Sequence, residues 1–398
     1  MSNTQTTHLT AENNNLSAEM KTFYDMALID EATPNLVYDQ FGQKRPIPAG
    51  KGKTIEFRKF SSLPKALKPI TEGVTPDGNK LNVTAVSATV EQYGDYIEQS
   101  DMLELTAIDN TIVEATKMLG NQAGRTLDTI VRNEVVGGTN VIYGALEGKR
   151  ANHRYEITAE HKITVDDIFD AAAELKGNNA PKIDGSYVAI VHPHVARDLM
   201  VSSKEQGSWI DINKYADPTN IFEGEIGKIG GVRFVESTEA KIFSSKPLSE
   251  EAVNLTVKTA VNSANSVTVN EKVTEEIIGR KLLIGSVQTE VIGLSGTTLT
   301  LEDKVTAASG DTIYPGEAGK DGAAVYATMV LGANAYGVTE ITGGGLQHIV
   351  KQLGSGSDPL NQRSSVGWKA TKAAKRLVEE NMVRIETGSY KSALVEGN

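Results

Sequence analysis

Several residue groupings in this sequence have types and spacings that chemistry uses. GKGKT at 50–54 holds the Gly-Lys-Thr end of a phosphate-binding loop. That loop needs another glycine five positions earlier, so that successive backbone N–H groups can wrap a phosphate, and Ile47 stands there instead. Gly148-Lys149, Gly227-Lys228 and Gly319-Lys320 lack the same framework. His192-Pro193-His194 brings two imidazoles close together, but a metal centre needs three or four convergent ligands and no third ligand adjoins. We read it as a strand end running into a helix that starts on proline. With six histidines and no cysteine, few general bases are available, and no Gly-x-Ser-x-Gly elbow occurs. The carboxylate pairs Asp166-Asp167, Glu275-Glu276 and Glu379-Glu380 read as solvated faces or helix starts. The residues thus predict no catalytic, metal or cofactor site.

Composition narrows the classes further. The 398 residues, 39% hydrophobic and 23% charged, can bury a sizeable core. Absence of cysteine excludes disulfides and thiolate chemistry and fits assembly in a reducing cytoplasm. MSNTQTTHLTAENNN has no apolar core for a secretory signal, so the sequons at Asn82 and Asn254 read as incidental. No apolar run reaches the ~20 residues of a membrane span. A net charge of −11 argues against a chain whose main task is to grip nucleic acid.

The elements that must position any site follow from periodicity. Residues 1–15 read as a polar arm, and Ser17 can cap a helix to about Thr33, with Met20, Phe23, Tyr24, Ala27 and Leu28 on one face. Thr54–Phe60 alternates as a strand, as does Leu81–Ile97, and a Pro-rich span containing PDG joins them into a long hairpin. The strongest helical pattern covers about 110–136, some 40 Å at 1.5 Å per residue, and Gly137-Gly138 ends it. Thr164, with Asp167 three residues on, starts a helix carrying Val165, Ile168, Phe169, Ala172 and Leu175. SYVAIVH reads as a buried strand, Pro193 opens a helix, and GEIGKIGGVRFVES reads as a turn and strand. From about Leu248 to Gly319 the chain lacks Trp, Phe and His and breaks into short alternating runs, a small β insertion. VYATMVLG then resumes the residue pattern seen before the insertion, and Met382–Glu386 closes the chain as a strand.

One segment contradicts the overall charge. Lys44, Arg45, Lys51, Lys53, Arg58, Lys59, Lys65 and Lys68 are accompanied by a single acid, Glu56. Phe57 and Phe60 interleave with them as stacking platforms for nucleic acid would. The competing reading is a hairpin whose charges meet the acidic surface of another copy. An isolated two-stranded hairpin is marginal in water and needs a partner, so we favour the second copy.

LVYDQFGQKRPIPAGKGKTIEFRKFSSLPKALKPITEG (36–73), AIVHPHVARDL (189–199), VYATMVLGANAYGVTEI (325–341) and DPLNQRSSVGWKATKAAKRL (358–377) resemble the major capsid proteins of tailed bacteriophages, which have the Hong Kong 97-like fold. The resemblance covers most of the chain outside 244–320. It implies an α+β capsid fold: arm and short helix (1–43), extended hairpin (44–98), peripheral domain with a spine helix (99–185), axial domain (186–243 and 321–357), β-rich insertion (244–320) and a return to the peripheral domain (358–398). It implies self-assembly into hexamers and pentamers of an icosahedral shell around double-stranded DNA, made in the host cytoplasm and found in the virion. The implied partners are further copies of the chain and a portal protein, together with scaffold, protease or decoration proteins; DNA is touched weakly and without specificity, and no membrane is involved. Arg58, Lys59, Lys65 and Lys68 are then inter-subunit charge partners, Phe57, Phe60 and Leu63 apolar anchors, and Trp368 a core residue. A bacterial encapsulating compartment is the alternative within the fold. A glycan-binding surface protein is an alternative in another class, although Tyr314 is the sole aromatic of the insertion.

Overall fold

The computed structural model describes residues 36–60, 78–102, 111–206, 225–244, 248–249, 254–285, 287–351 and 362–392, with Leu63, Lys65, Leu67, Pro69 and Glu72. The helix expected after Ser17 lies outside the described residues. The chain divides into two units, 1–135 with 334–378 and 136–333 with 379–398.

In the first unit, Thr54–Phe60 pairs antiparallel with Val83–Thr89 in an unbroken register from Thr54–Thr89 to Phe60–Val83. The second alternating run divides at Val90, after which Glu91–Ser100 pairs with Arg363–Arg376. That 14-residue strand is the centre of a five-stranded sheet. Its other edge pairs first with Gln347–Lys351 and then with Tyr336–Thr339, which in turn holds Gln43–Lys44 in parallel. Alternation places Val366, Trp368 and Ala370 on one face, opposite Ile97, Asp95 and Tyr93. The helix Thr111–Val136 covers that face with Leu119, Ala123 and Leu127, spaced four apart. It ends where the glycine pair predicts. Neither Gly137 nor Gly138 adopts positive φ, however, so the expected glycine cap is absent. Arg384 Nη1 instead donates to the carbonyls of Val136 and Gly138.

The second unit is built on a seven-stranded mixed sheet ordered Val141–Tyr143, Met382–Thr387, Val325–Leu331, Tyr187–Val191, Val232–Glu236, Glu225–Ile229, with Ile242–Phe243 also on Val325–Leu331. Tyr187–Val191 is buried throughout, as a continuous apolar run requires. The helices Val165–Gly177 and Pro193–Gln206 contribute Ile168, Ala172, Leu175, Val195 and Leu199 to the cluster that holds Ala189, Val191 and Phe234. Thr164 forms the predicted capping box, its hydroxyl accepting from Asp167 N–H at 3.3 Å while Asp167 accepts from Thr164 N–H at 2.9 Å. Phe169, assigned to the buried face, is half exposed and lies against Gly230, where a Cβ would come within 2.7 Å of the ring.

Pairing also redraws the expected domain boundaries. Residues 136–185 belong with the second unit because Val141–Tyr143 and the 165–177 helix join its sheet and core. Residues 334–357 belong with the first, through Tyr336–Thr339 and Gln347–Lys351, and the strand Met382–Thr387 belongs with the second.

The β insertion has six strands in the order Leu255–Thr256, Thr312–Pro315, Lys281–Ile284, Val287–Ser295, Thr298–Ala307, Val261–Thr268. A Val257–Val269 bridge and the bond from Lys258 N–H to the Thr268 carbonyl (2.8 Å) join the two outer strands, so the sheet closes into a barrel. Leu255, Val267, Leu282, Val291, Leu299, Leu301 and Ile313 fill it.

Candidate assembly surface

The base of the hairpin is fixed within its own unit. Arg45 N–H donates to Val338 carbonyl (3.0 Å) and Ile47 N–H to Glu340 carbonyl (2.8 Å), so the incoming chain lies along the neighbouring strand. Asp39 sits between Lys372, its closer partner, and Lys44 at 3.1 Å. Burial would push the Asp39 carboxyl up, but Lys372 and then Lys44 outweigh it and hold the group below its usual range. Ile55 and Val90 pack with Ile47, Ile341 and Ala373. Phe57, only 2% exposed, lies on Gly337, where a Cβ would come within 2.5 Å of its ring.

The resemblance makes Phe57 an anchor for another copy, and its spacing would suit stacking on a base. The structure corrects both expectations: the ring is already buried by its own chain and presents no face to a partner. Phe60 ends the strand opposite Val83. Away from the base the character changes. Leu63 is 56% and Leu67 82% exposed, Leu81 and Val83 are exposed at the start of the returning strand, and Arg58 and Lys65 are exposed beside them in the chain. Lys59 is half-buried. Lys68 lies outside the described residues. The hairpin therefore has an apolar base satisfied within its unit and a far end that offers apolar and basic side chains together.

Trp368 lies in the core beneath the helix, and its indole N–H donates to Gln122 Oε1 at 3.2 Å. His192 and His194 stand at the strand-to-helix turn with ring centroids 4.5 Å apart, and His194 Nδ1 shares a 2.9 Å hydrogen bond with the Tyr326 hydroxyl. Burial pushes the His192 imidazole down to about 4. Among the described residues no group of three His, Cys, Asp or Glu side chains is placed to hold a metal ion. A hollow of about 570 Å³ is lined by Val141, Tyr143, Arg150, Asp170 and Glu174. Arg150 is committed there to Asp167 at 2.7 Å and Asp170 at 2.6 Å. No helix among the described residues is long and apolar enough to cross a membrane.

Residues 83–241 match the family described as phage capsid protein. The fold is similar to the capsid of Ralstonia phage GP4, at 13% identity and a TM-score of 0.57 over 88% of this chain and 87% of that one. It is also similar to the capsid of cyanophage P-SCSP1u (14% identity, TM-score 0.52, 89% and 88% covered). A third likeness is to the capsid of cyanophage Pam1 (13%, 0.50, 86% of each chain). No curated protein matches the chain. Residues 83–241 thus resemble a phage capsid protein, and the α+β fold of the chain is similar to that of phage capsids.

Proposed function

We propose that this chain is the major capsid protein of a tailed phage, a structural and non-enzymatic subunit that closes an icosahedral shell of hexamers and pentamers around double-stranded DNA. The observation that carries the assembly mechanism is the division of the hairpin. Its base is tied down by Phe57 on Gly337, whereas Leu63, Lys65, Leu67, Leu81 and Val83 are left exposed. Apolar and basic groups together at the end of a two-stranded ribbon are stabilised when another surface covers them, and a second copy of a chain of net charge −11 supplies the complementary charge. Each contact is modest, and repetition over a closed symmetric shell multiplies it. Leu63 and Phe60 are the apolar contributors, and Arg58, Lys59, Lys65 and Lys68 the charged ones. A portal protein, and scaffold, protease or decoration proteins, complete the particle, which assembles in the host cytoplasm.

The experiment is sedimentation and negative-stain microscopy of the purified chain and of a Lys65→Glu, Lys68→Glu variant. The chain is expected to give particles of megadalton size, and the variant fewer particles that dissociate at lower salt. Shells of the variant at ordinary yield and salt tolerance would remove the docking role. A wild-type chain that stays monomeric would remove the shell function itself.

A further inference from the structure

Asp128 has no part in the surface described above, yet it is a poorly accommodated carboxyl group of the first unit. It projects from the long helix, is fully buried, and accepts the Tyr38 N–H on Oδ1 at 2.7 Å. The nearby Asp39 N–H also favours its ionised form. Among the described residues its other oxygen, Oδ2, has no hydrogen-bond partner, and neither has the buried Tyr38 hydroxyl. The chain segment that it holds is the one leading into the hairpin: Val37, Tyr38, Phe41 and Ile47 are all buried, and the Tyr336 hydroxyl donates to the Tyr38 carbonyl from the other side.

The charged and titratable groups around this carboxyl come from four elements. Tyr38, Asp39 and Lys44 lie on the held segment, Arg132 one turn along the helix, Tyr336 on its strand, and Lys372 on the central strand. Lys372 and Lys44 are engaged by Asp39. Arg132 donates through Nε and Nη2 to Asn133 at 3.2 and 3.1 Å. An ionised Asp128 is therefore a buried anion with one hydrogen bond, from the Tyr38 N–H; the Asp39 N–H and the Arg132 charge favour it, whereas burial and the Asp39 carboxylate oppose it. A neutral Asp128 keeps its carbonyl acceptor for Tyr38 and avoids the charge.

We propose that Asp128 is a proton-operated latch: neutral, it holds the Val37–Phe41 segment on the long helix, and on losing its proton it loosens the segment from which the hairpin extends. Burial, opposed by the Tyr38 and Asp39 N–H groups, raises the Asp128 carboxyl from 3.8 to about 7. In the released segment the carboxyl meets water and returns to its ordinary value. The held state thus binds the proton more tightly between those limits. Its advantage is complete below about pH 4, falls as pH rises towards 7, and is level above that.

The test is amide hydrogen exchange, read by mass spectrometry on the full chain, for the peptide containing Tyr38 and Asp39. After correction for intrinsic exchange, its opening constant is expected to rise by at least tenfold between pH 5 and pH 8. A peptide from the buried strand Tyr187–Val191 serves as the reference and should not follow. Asp128→Asn keeps the acceptor without the charge and should flatten the dependence. Tyr336→Phe removes a pH-independent bond to the same segment and should raise the opening constant at every pH while keeping the slope. The slope in Tyr336→Phe therefore decides the matter even if Asp128→Asn does not fold. A wild-type chain with no rise, or an Asp128→Asn chain with an unchanged rise, overturns the latch.

Discussion

Arg154 grips Glu386 in the interior of the second unit, its Nε donating to Oε2 at 2.7 Å and its Nη2 to Oε1 at 2.6 Å. Glu386 is fully buried and also accepts from Arg384 Nε at 2.7 Å. The Arg154 guanidinium lies over the Phe243 ring, 3.5 Å from its centroid. One carboxylate thus orients two arginines, one of which, Arg384, donates to the carbonyls of Val136 and Gly138 in its own unit.

Replacing Glu386 by Gln should therefore lower stability by about 3–5 kcal/mol, since it leaves two mostly buried guanidinium groups without their anion. Burial alone would raise this carboxyl, but hydrogen bonds and charge from Arg154, with Arg384, outweigh it and hold the group below 4.5. For a carboxyl lowered by folding, the stabilisation is present above the unfolded value and is lost as pH falls through the folded one. Thermal unfolding of the two chains should show a constant gap near neutrality that narrows below about pH 4.5. A gap independent of pH would place the effect in packing instead of charge.

Phe57 and Gly337 form the second testable pair, because the ring occupies the space that a Cβ at 337 would need. Phe57→Ala should remove about 3–5 kcal/mol of local packing and expose the amides of Thr54–Phe60 to exchange. Gly337→Ala should damage the same amides. In a Phe57→Leu background the added methyl should do less harm, giving a coupling of about 0.5–3 kcal/mol between the positions. Independent effects would mean that the ring has another seat.

Which features could be read from sequence follows from the range of the interactions that set them. Thr164 and Asp167 announce their helix start because the box closes over three residues. The alternating strand Thr54–Phe60 and the apolar Tyr187–Val191 are equally local in origin. Val90 is different: the inward positions shift there from even (Val86, Ala88, Val90) to odd (Tyr93, Ile97, Gln99) as one strand partner is exchanged for another, and the loose alternation of the sequence does not mark the shift. KATKAAKR within Arg363–Arg376 is rich in residues that suit a helix, and its extended state is imposed by partners on both edges. The roles of Arg384 and Asp128 leave no mark in the sequence for the same reason, since each acts on backbone distant in the chain. The basic hairpin is legible as something needing a cover, but not the fact that Phe57 already has one.

The capping box itself predicts a graded series. Thr164→Ser should be nearly neutral and Thr164→Ala should cost about 1 kcal/mol. Asp167→Ala should cost more, because Asp167 is buried and also receives Arg150 Nη1 at 2.7 Å. Asp166→Ala, at the exposed neighbouring position, should stay within about 0.5 kcal/mol. Urea unfolding measures all four, and equal losses at 166 and 167 would show that the dipole of the helix, not the box, is responsible.

The barrel at Leu255–Pro315 offers the sharpest separation of effects, because its core excludes the residues that pack around Tyr187–Val191. Chain enters and leaves it next to a paired junction, Ile242 opposite Tyr326 and Phe243 opposite Val325. That ladder belongs to the larger sheet and does not require the barrel to be folded. Tyr155 stacks on the barrel's Tyr314 with ring centroids 5.4 Å apart, and just after the barrel Lys320 N–H donates to the Ile157 carbonyl at 2.8 Å. Leu299 is fully buried among Val267, Val291 and Ile313, so Leu299→Ala should cost about 2–5 kcal/mol within the barrel. Exchange protection should fall for amides between Leu255 and Pro315 while Tyr187–Val191 and Val325–Leu331 keep theirs, since a closed sheet with its own core opens as one cooperative unit. Equal loss in both regions would mean that the small interface around Tyr155 and Tyr314 couples the two cores more strongly than either packs within itself.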